Sequence, residues 1–244
     1  MGFYNSPRII LDDLVLNLDA GNTKSYAGDL SSTVGTSYGY ITGGNTPGSN
    51  YHTWVDRIDY SSDTPTATAK GPLAVTTSTM GTSSSTSYGY LGGGYGPNKS
   101  TVQRIDYSND TATAVAKGPL SSARYHVVGA GNKDYGYQGT GAPLGGPTPS
   151  VSTIDRIDYS NDTATAAVKG PLSAGRSYMG GAAGNQSYGY FGGGDTWPSN
   201  KVTTVDRIDY SNDTPTATVK GPLGVVSYQA QVVGNDSYGY WTGG

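Results

Sequence analysis

One phrase is written four times along this chain. Arg-Ile-Asp-Tyr, a short turn and then Lys-Gly-Pro-Leu occupy 57–73, 104–120, 156–172 and 207–223. A second phrase, Tyr-Gly-Tyr with glycine close behind, starts at Tyr38, Tyr88, Tyr135, Tyr188 and Tyr238, so successive starts lie 50, 47, 53 and 50 residues apart. A repeat of that length restricts the fold severely. Each unit is one supersecondary element, too small to bury its faces alone, that stacks on its neighbours.

Composition says whether such units are ordered. Only 14% of residues are charged and 34% are hydrophobic, but 21 tyrosines recur at fixed places. Disordered chains pair low hydrophobicity with high charge and few aromatics, so this pattern predicts ordered, tyrosine-packed strands. The net charge is −3 with no basic cluster, which excludes recognition of a phosphate backbone and makes nucleic acid an unsuitable partner. There are no cysteines, hence no disulfide framework and no thiolate metal site. No apolar run is long enough to span a membrane, and the first residues lack the pattern of a signal peptide.

Within the unit 121–172, turn residues separate four β-prone runs. These are Arg124–Val128, Asp134–Gln138, Ile154–Tyr159 and Thr163–Lys169. Ser160-Asn161-Asp162 forms the turn between the last two, and Gly170-Pro171 ends the fourth, as befits an outer edge strand. Four short antiparallel strands repeated at this spacing predict an all-β protein, a β-propeller of four-stranded blades. Tyr-Gly-Tyr with its glycines, a variable loop and an alternating strand ending in Asp-Tyr resembles the kelch repeat family over Val34 to the end. The chain departs from that family where a Trp normally follows the Asp-Tyr strand; here Thr113-Ala114 and its equivalents stand instead.

Repeat units fall at about 34–73, 74–120, 121–172 and 173–223, leaving two strands in 224–244. Leu14–Asp19 alternates like Val205–Tyr210, and Gly28–Ser32 echoes Gly118–Ser122. The expectation is therefore one propeller domain over 14–244 with five blades, the closing blade built from 224–244 plus 14–32. A four-bladed ring with arms at both ends is the alternative. Residues 1–13 are left as an N-terminal arm, with Phe3, Tyr4, Ile9, Ile10 and Leu11 as its partner-anchoring residues.

Most chemistry-bearing residues sit at repeat-equivalent positions, where a single site is not built. Arg-Ile-Asp-Tyr is read as packing, since period-2 alternation divides its side chains between two faces. Asp106, Asn109, Asp110 and their equivalents Asp59, Asp63, Asp158, Asn161, Asp162, Asp209, Asn212 and Asp213 are read as turn caps rather than calcium ligands. The only histidines, His52 and His126, lie in different parts of different units, which argues against a His-based triad or zinc site. No enzyme, no cofactor and no metal are expected.

The segments between second and third strands vary while their flanks stay fixed: Asn45–Thr53, Tyr95–Thr101, Thr140–Thr153 and Asp195–Thr204. They are predicted to emerge on one face. Tyr51, His52, Trp54, Tyr95, Asn98, Lys99, Trp197, Asn200 and Lys201 are the candidate ligand-binding residues, since exposed aromatics with amide and amine donors suit sugar or protein contact. Arg124 and Arg176 are expected to add donors around a central channel.

Asp13–Asn22 with Lys24-Ser25-Tyr26 resembles the start of structural proteins of marine phages. That resemblance implies a virion location and a virion structural or tail-associated protein binding a host-surface glycan or protein. Its partners would be other virion proteins and copies of itself. A purely architectural decoration or connector protein is the alternative, and an intracellular kelch-type interaction scaffold the third.

Overall fold

Turn residues cut each repeat into short runs, and those runs pair as antiparallel sheets. The computed structural model describes residues 38–46, 50–96, 100–143 and 149–243. The segments 1–13 and 14–32, with Phe3, Tyr4, Ile9, Ile10 and Leu11, lie outside the described residues.

The fold is all-β. Three sheets have four strands each, in sequence order. The second sheet comprises Gly81–Ser84, Tyr88–Gly92, Val102–Asp106 and Val115–Lys117. The third comprises Val128–Gly131, Tyr135–Gly139, Ile154–Asp158 and Ala167–Lys169, and the fourth Ala182–Gly184, Tyr188–Gly192, Val205–Asp209 and Thr218–Lys220. Before them comes a first sheet of Tyr38–Thr42, Val55–Asp59 and Thr68–Ala69; after them a fifth of Gln231–Gly234 and Gly239–Thr242. The innermost strands of the second to fifth sheets pack one on the next.

The innermost strand differs from expectation. In the third sheet it is Val128–Gly131, displaced toward the glycines that had read as its terminator. Close approach of neighbouring sheets is the reason: a Cβ on Gly129 would stand 2.1 Å from the Thr82 carbonyl oxygen of the preceding sheet.

The two repeated phrases form one interlocking device. Tyr-Gly-Tyr pairs with Arg-Ile-Asp in the same register in four sheets: Tyr38 opposite Asp59, Tyr88 opposite Asp106, Tyr135 opposite Asp158 and Tyr188 opposite Asp209. The first tyrosine lies under the arginine, with Arg104 4.0 Å from the Tyr88 ring and Arg156 4.3 Å from Tyr135. The glycine makes room for the tyrosine that ends Arg-Ile-Asp-Tyr; a Cβ on Gly89 would meet the Tyr107 hydroxyl at 2.8 Å. The second tyrosine stacks on that terminal tyrosine of the following repeat, as Tyr40 on Tyr107 (5.1 Å), Tyr90 on Tyr159 (4.7 Å) and Tyr137 on Tyr210 (4.6 Å).

The turn aspartates divide into two kinds, which corrects the expectation of uniform turn capping. Asp106, Asp158 and Asp209 do cap: Asp106 accepts from the Ser108 amide (2.9 Å) and hydroxyl (2.6 Å). Asp110, Asp162 and Asp213 are buried and reach back into the preceding sheet instead. Asp162 accepts from Tyr90 Oη (3.0 Å) and Arg104 Nη1 (2.7 Å), with Lys117 Nζ at 3.1 Å. Asp110 takes Tyr40, Arg57 and Lys70 in the same way, and Asp213 takes Tyr137, Arg156 and Lys169. Burial alone would raise these carboxyls, but the hydrogen bonds and cations outweigh it and hold all three below the usual carboxylate range. Burial and the Asp110 hydrogen bond push the Tyr40 phenol up to about 12.

Arg124 and Arg176 are likewise corrected. They are fully buried, paired with Asp155 and Asp206 of their own sheets, and donate to backbone carbonyls. They are structural pins rather than donors to a ligand.

Candidate functional site

Three of the four variable segments carry aromatic rings; Thr140–Thr153 has none. Two of them fold as small ribbons, Asn45–Thr46 with Asn50–Tyr51 and Asp195–Thr196 with Asn200–Lys201. Trp54 is 56% exposed, Trp197 50% and Tyr95 40%, against a core in which Tyr90, Tyr137 and Phe191 are almost wholly buried. Rings of this size left in water are available for contact.

These rings are connected. Tyr51 lies 5.4 Å from Tyr95, and Tyr95 meets Tyr125 edge-on at 5.2 Å. Tyr125 touches His126 at 4.6 Å, His126 lies 3.7 Å from Tyr178, and Tyr178 stacks on Tyr228 at 5.1 Å. Lys201 Nζ closes the row 4.7 Å above the Tyr228 ring. A ladder of six rings and one ammonium therefore crosses every repeat boundary from the first unit to the closing segment. Beside it, His52 stacks on Trp54 at 3.8 Å and its Nε2 lies 3.0 Å from Thr46 Oγ1.

Backbone geometry holds the ladder. Thr79, His126, Tyr178 and Gln229 stand at equivalent positions just before the innermost strand, all with φ between 52 and 56°. A left-handed conformation is costly for a bulky residue and persists only where the surroundings enforce it. Here it turns a carbonyl toward the next unit: Thr79 O accepts from Val127 N at 3.1 Å, and Tyr178 O from Gln229 N at 2.8 Å. The same turn presents the His126 and Tyr178 rings to the ladder.

Tyr51 and Tyr95 are thus brought together, Lys201 lies at the opposite end of the ladder over Tyr228, and His52 pairs with Trp54. Asn200 is exposed on the second ribbon, and Trp197 is exposed on the loop that joins its two strands. Asn98 and Lys99 lie outside the described residues. Sequence inspection missed Tyr125, Tyr178 and Tyr228. Their signal was present, as aromatic residues recurring two to five positions before the glycine-rich innermost strands, but those runs were read as strand.

His126 has a titration consequence. Burial against Tyr125 and Tyr178 lowers its imidazole from the ordinary value to about 4, so the folded state holds it neutral. Its folded value lies below its unfolded one. Stability from this site is complete above about pH 6.5 and falls as pH drops from there toward 4. Melting temperature is expected to decline between pH 7 and pH 5, and His126→Gln to flatten that decline; an unchanged slope in the variant would place the titration elsewhere.

Electrostatically the ladder is nearly neutral, with Lys201 its only charge. Among the described residues no cluster of three or more His, Asp, Glu or Cys side chains is placed to hold a metal ion. What the arrangement offers is flat π surface edged by hydroxyl, imidazole and amine donors, suited to the C–H faces of sugar rings or to apolar protein side chains. A scan against protein-family models finds no match for this chain, and a search of curated proteins finds no similar sequence.

Proposed function

We propose that this chain is a kelch-like β-propeller that acts as a phage virion structural or tail-associated protein and binds a host-surface glycan through its aromatic ladder. The propeller reading is supported by sheets that repeat the same register and by innermost strands that pack in succession. The virion assignment is supported by the resemblance of Asp13–Asn22 to marine-phage structural proteins. One observation carries the binding reading: the rings Tyr51–Tyr95–Tyr125–His126–Tyr178–Tyr228 touch in succession outside the buried core, starting from Tyr51 and the exposed Tyr95 on two of the variable segments. Binding is non-covalent. Stacking of sugar rings supplies modest affinity per site, and several copies on a particle multiply it.

The test is binding of the purified chain to an array of bacterial surface polysaccharides, with Tyr95→Ala in the ladder and Trp54→Ala beside it as variants. Each substitution is expected to weaken retention at least about tenfold, the loss of roughly 1.4 kcal/mol of ring contact. Trp54 is 56% exposed, so the melting temperature of Trp54→Ala should hardly move. Binding that survives in both variants would remove the ladder from the function.

A further inference from the structure

The interlock described above is complete at three boundaries and open at the fourth. Tyr190, Arg207 and Lys220 of the fourth sheet are the counterparts of Tyr137, Arg156 and Lys169 in the third. Arg207 is held over Tyr188 at 4.2 Å as its counterparts are, but among the described residues no carboxylate reaches this trio.

The backbone beside the trio is open too. Gly71, Gly118 and Gly170 each donate at 2.8 Å to the carbonyl of Asp110, Asp162 or Asp213 on the next sheet. A Cβ on any of them would stand 1.8–2.0 Å from a carbonyl of that same turn. Their counterpart Gly221 has nothing within 4 Å. Pro72, Pro119 and Pro171 each accept from a following Ala amide at 2.8–2.9 Å, whereas among the described residues no backbone amide donates to Pro222. A cavity of about 390 Å³ occupies the place, lined by Tyr190, Val205, Lys220, Gly221, Leu223 and Trp241.

The missing half exists on the same chain, at its other end. Asp63-Thr64-Pro65-Thr66-Ala67 is identical to Asp213-Thr214-Pro215-Thr216-Ala217, the turn that already docks on the third sheet's trio. Asp63 through Thr66 are exposed, and Asp63 has no ion-pair or hydrogen-bond partner among the described residues. Both halves are therefore unmet among the described residues of the single chain.

We infer that the Tyr190/Arg207/Lys220 seat is a binding site for the Asp63 turn of a second copy of this chain. The second copy completes the site: its Asp63 carboxylate accepts from Tyr190 and Arg207 and pairs with Lys220, while its turn covers Gly221. The free sheet edges fit the same arrangement. The first sheet has no innermost strand among the described residues, and the fifth has only its inner two. Tyr38–Gly44 and Tyr238–Gly244 share Tyr-Gly-Tyr-x-Thr-Gly-Gly, so Gly239–Thr242 of one copy stands beside Val55–Asp59 of the next in place of Tyr38–Thr42. The contact is head-to-tail, which builds rings or open arrays. It puts closure between chains.

The experiment is sedimentation equilibrium of the full chain from micromolar toward millimolar concentration. Wild type is expected to gain mass with concentration. Asp63→Lys and Gly221→Trp, both at exposed positions that leave the fold intact, should each remain monomeric. Mixed in equal amounts they should give a dimer and nothing larger, because each variant keeps one good end. A wild type that stays monomeric throughout overturns the inference, and a lowered melting temperature in Asp63→Lys would then locate closure within one chain. Association unaffected by either variant would assign it to another surface. Association that appears only after deletion of residues 1–37 would give the seat to the N-terminal segment.

Discussion

Asp162→Ala is expected to destabilise the protein by about 3 kcal/mol or more, read as a shift of the denaturation midpoint. The carboxylate is 8% exposed and faces Arg104 and Lys117, themselves 21% and 12% exposed. Its removal leaves two largely desolvated cations and the Tyr90 hydroxyl without an acceptor, and an orphaned buried charge costs more than the intact pair contributes. Asp162→Asn should cost less, since an amide oxygen still accepts. The control is Asp63→Ala, the same residue at the equivalent turn but exposed, which in dilute solution should stay within about 0.5 kcal/mol of wild type. Acid sensitivity follows from the same group. Its folded carboxyl titrates below its unfolded one, so its contribution is present above about pH 4 and is lost as pH falls through the folded value. Equal losses at positions 63 and 162 would show that the turn, not the interlock, carries the energy.

Arg176→Met should be as damaging, about 3–5 kcal/mol, for a related reason. Arg176 and Asp206 are buried to 1% and 0% exposure, and the guanidinium also donates to the carbonyls of Gly193 (2.8 Å) and Thr204 (2.7 Å). Methionine fills much of the volume but strands Asp206 in an apolar site. The double variant Arg176→Met/Asp206→Leu removes both charges and should recover a good part of the loss, leaving the deficit of the Gly193, Thr204 and Phe191 carbonyls. If the double variant is no better than the single one, the carbonyl bonds rather than the ion pair hold the fourth sheet to its loop.

Much of the strand architecture was legible in the chain. Alternation in Arg-Ile-Asp-Tyr and the turn residues after it locate the third strand and its end, because those signals act over a few residues: Asp106 accepts from Ser108, two positions on. The innermost strand was not legible. Val128–Gly131 has the composition of a turn, and only the closeness of Thr82 on the preceding sheet explains why glycines form a strand there. Asp110, Asp162 and Asp213 read as turn caps for the same reason. Nothing in Asn-Asp-Thr distinguishes an aspartate that bonds its own turn from one that reaches a repeat away.

Sequence alone determined the period, the all-β class, the antiparallel runs and the places where side chains vary. Each of these depends on local propensity or on spacing along one strand. Tertiary structure decided which residue faces which across a sheet boundary. The partners of Asp213 lie 57 and 76 positions away in Arg156 and Tyr137, and the rings of the ladder come from five separate segments. Alternation specifies the face a side chain takes, but what lies opposite that face depends on the offset between neighbouring sheets. That offset is set by packing, by glycines admitting a backbone at close range and tyrosines filling the space between. It has no signature within any one repeat.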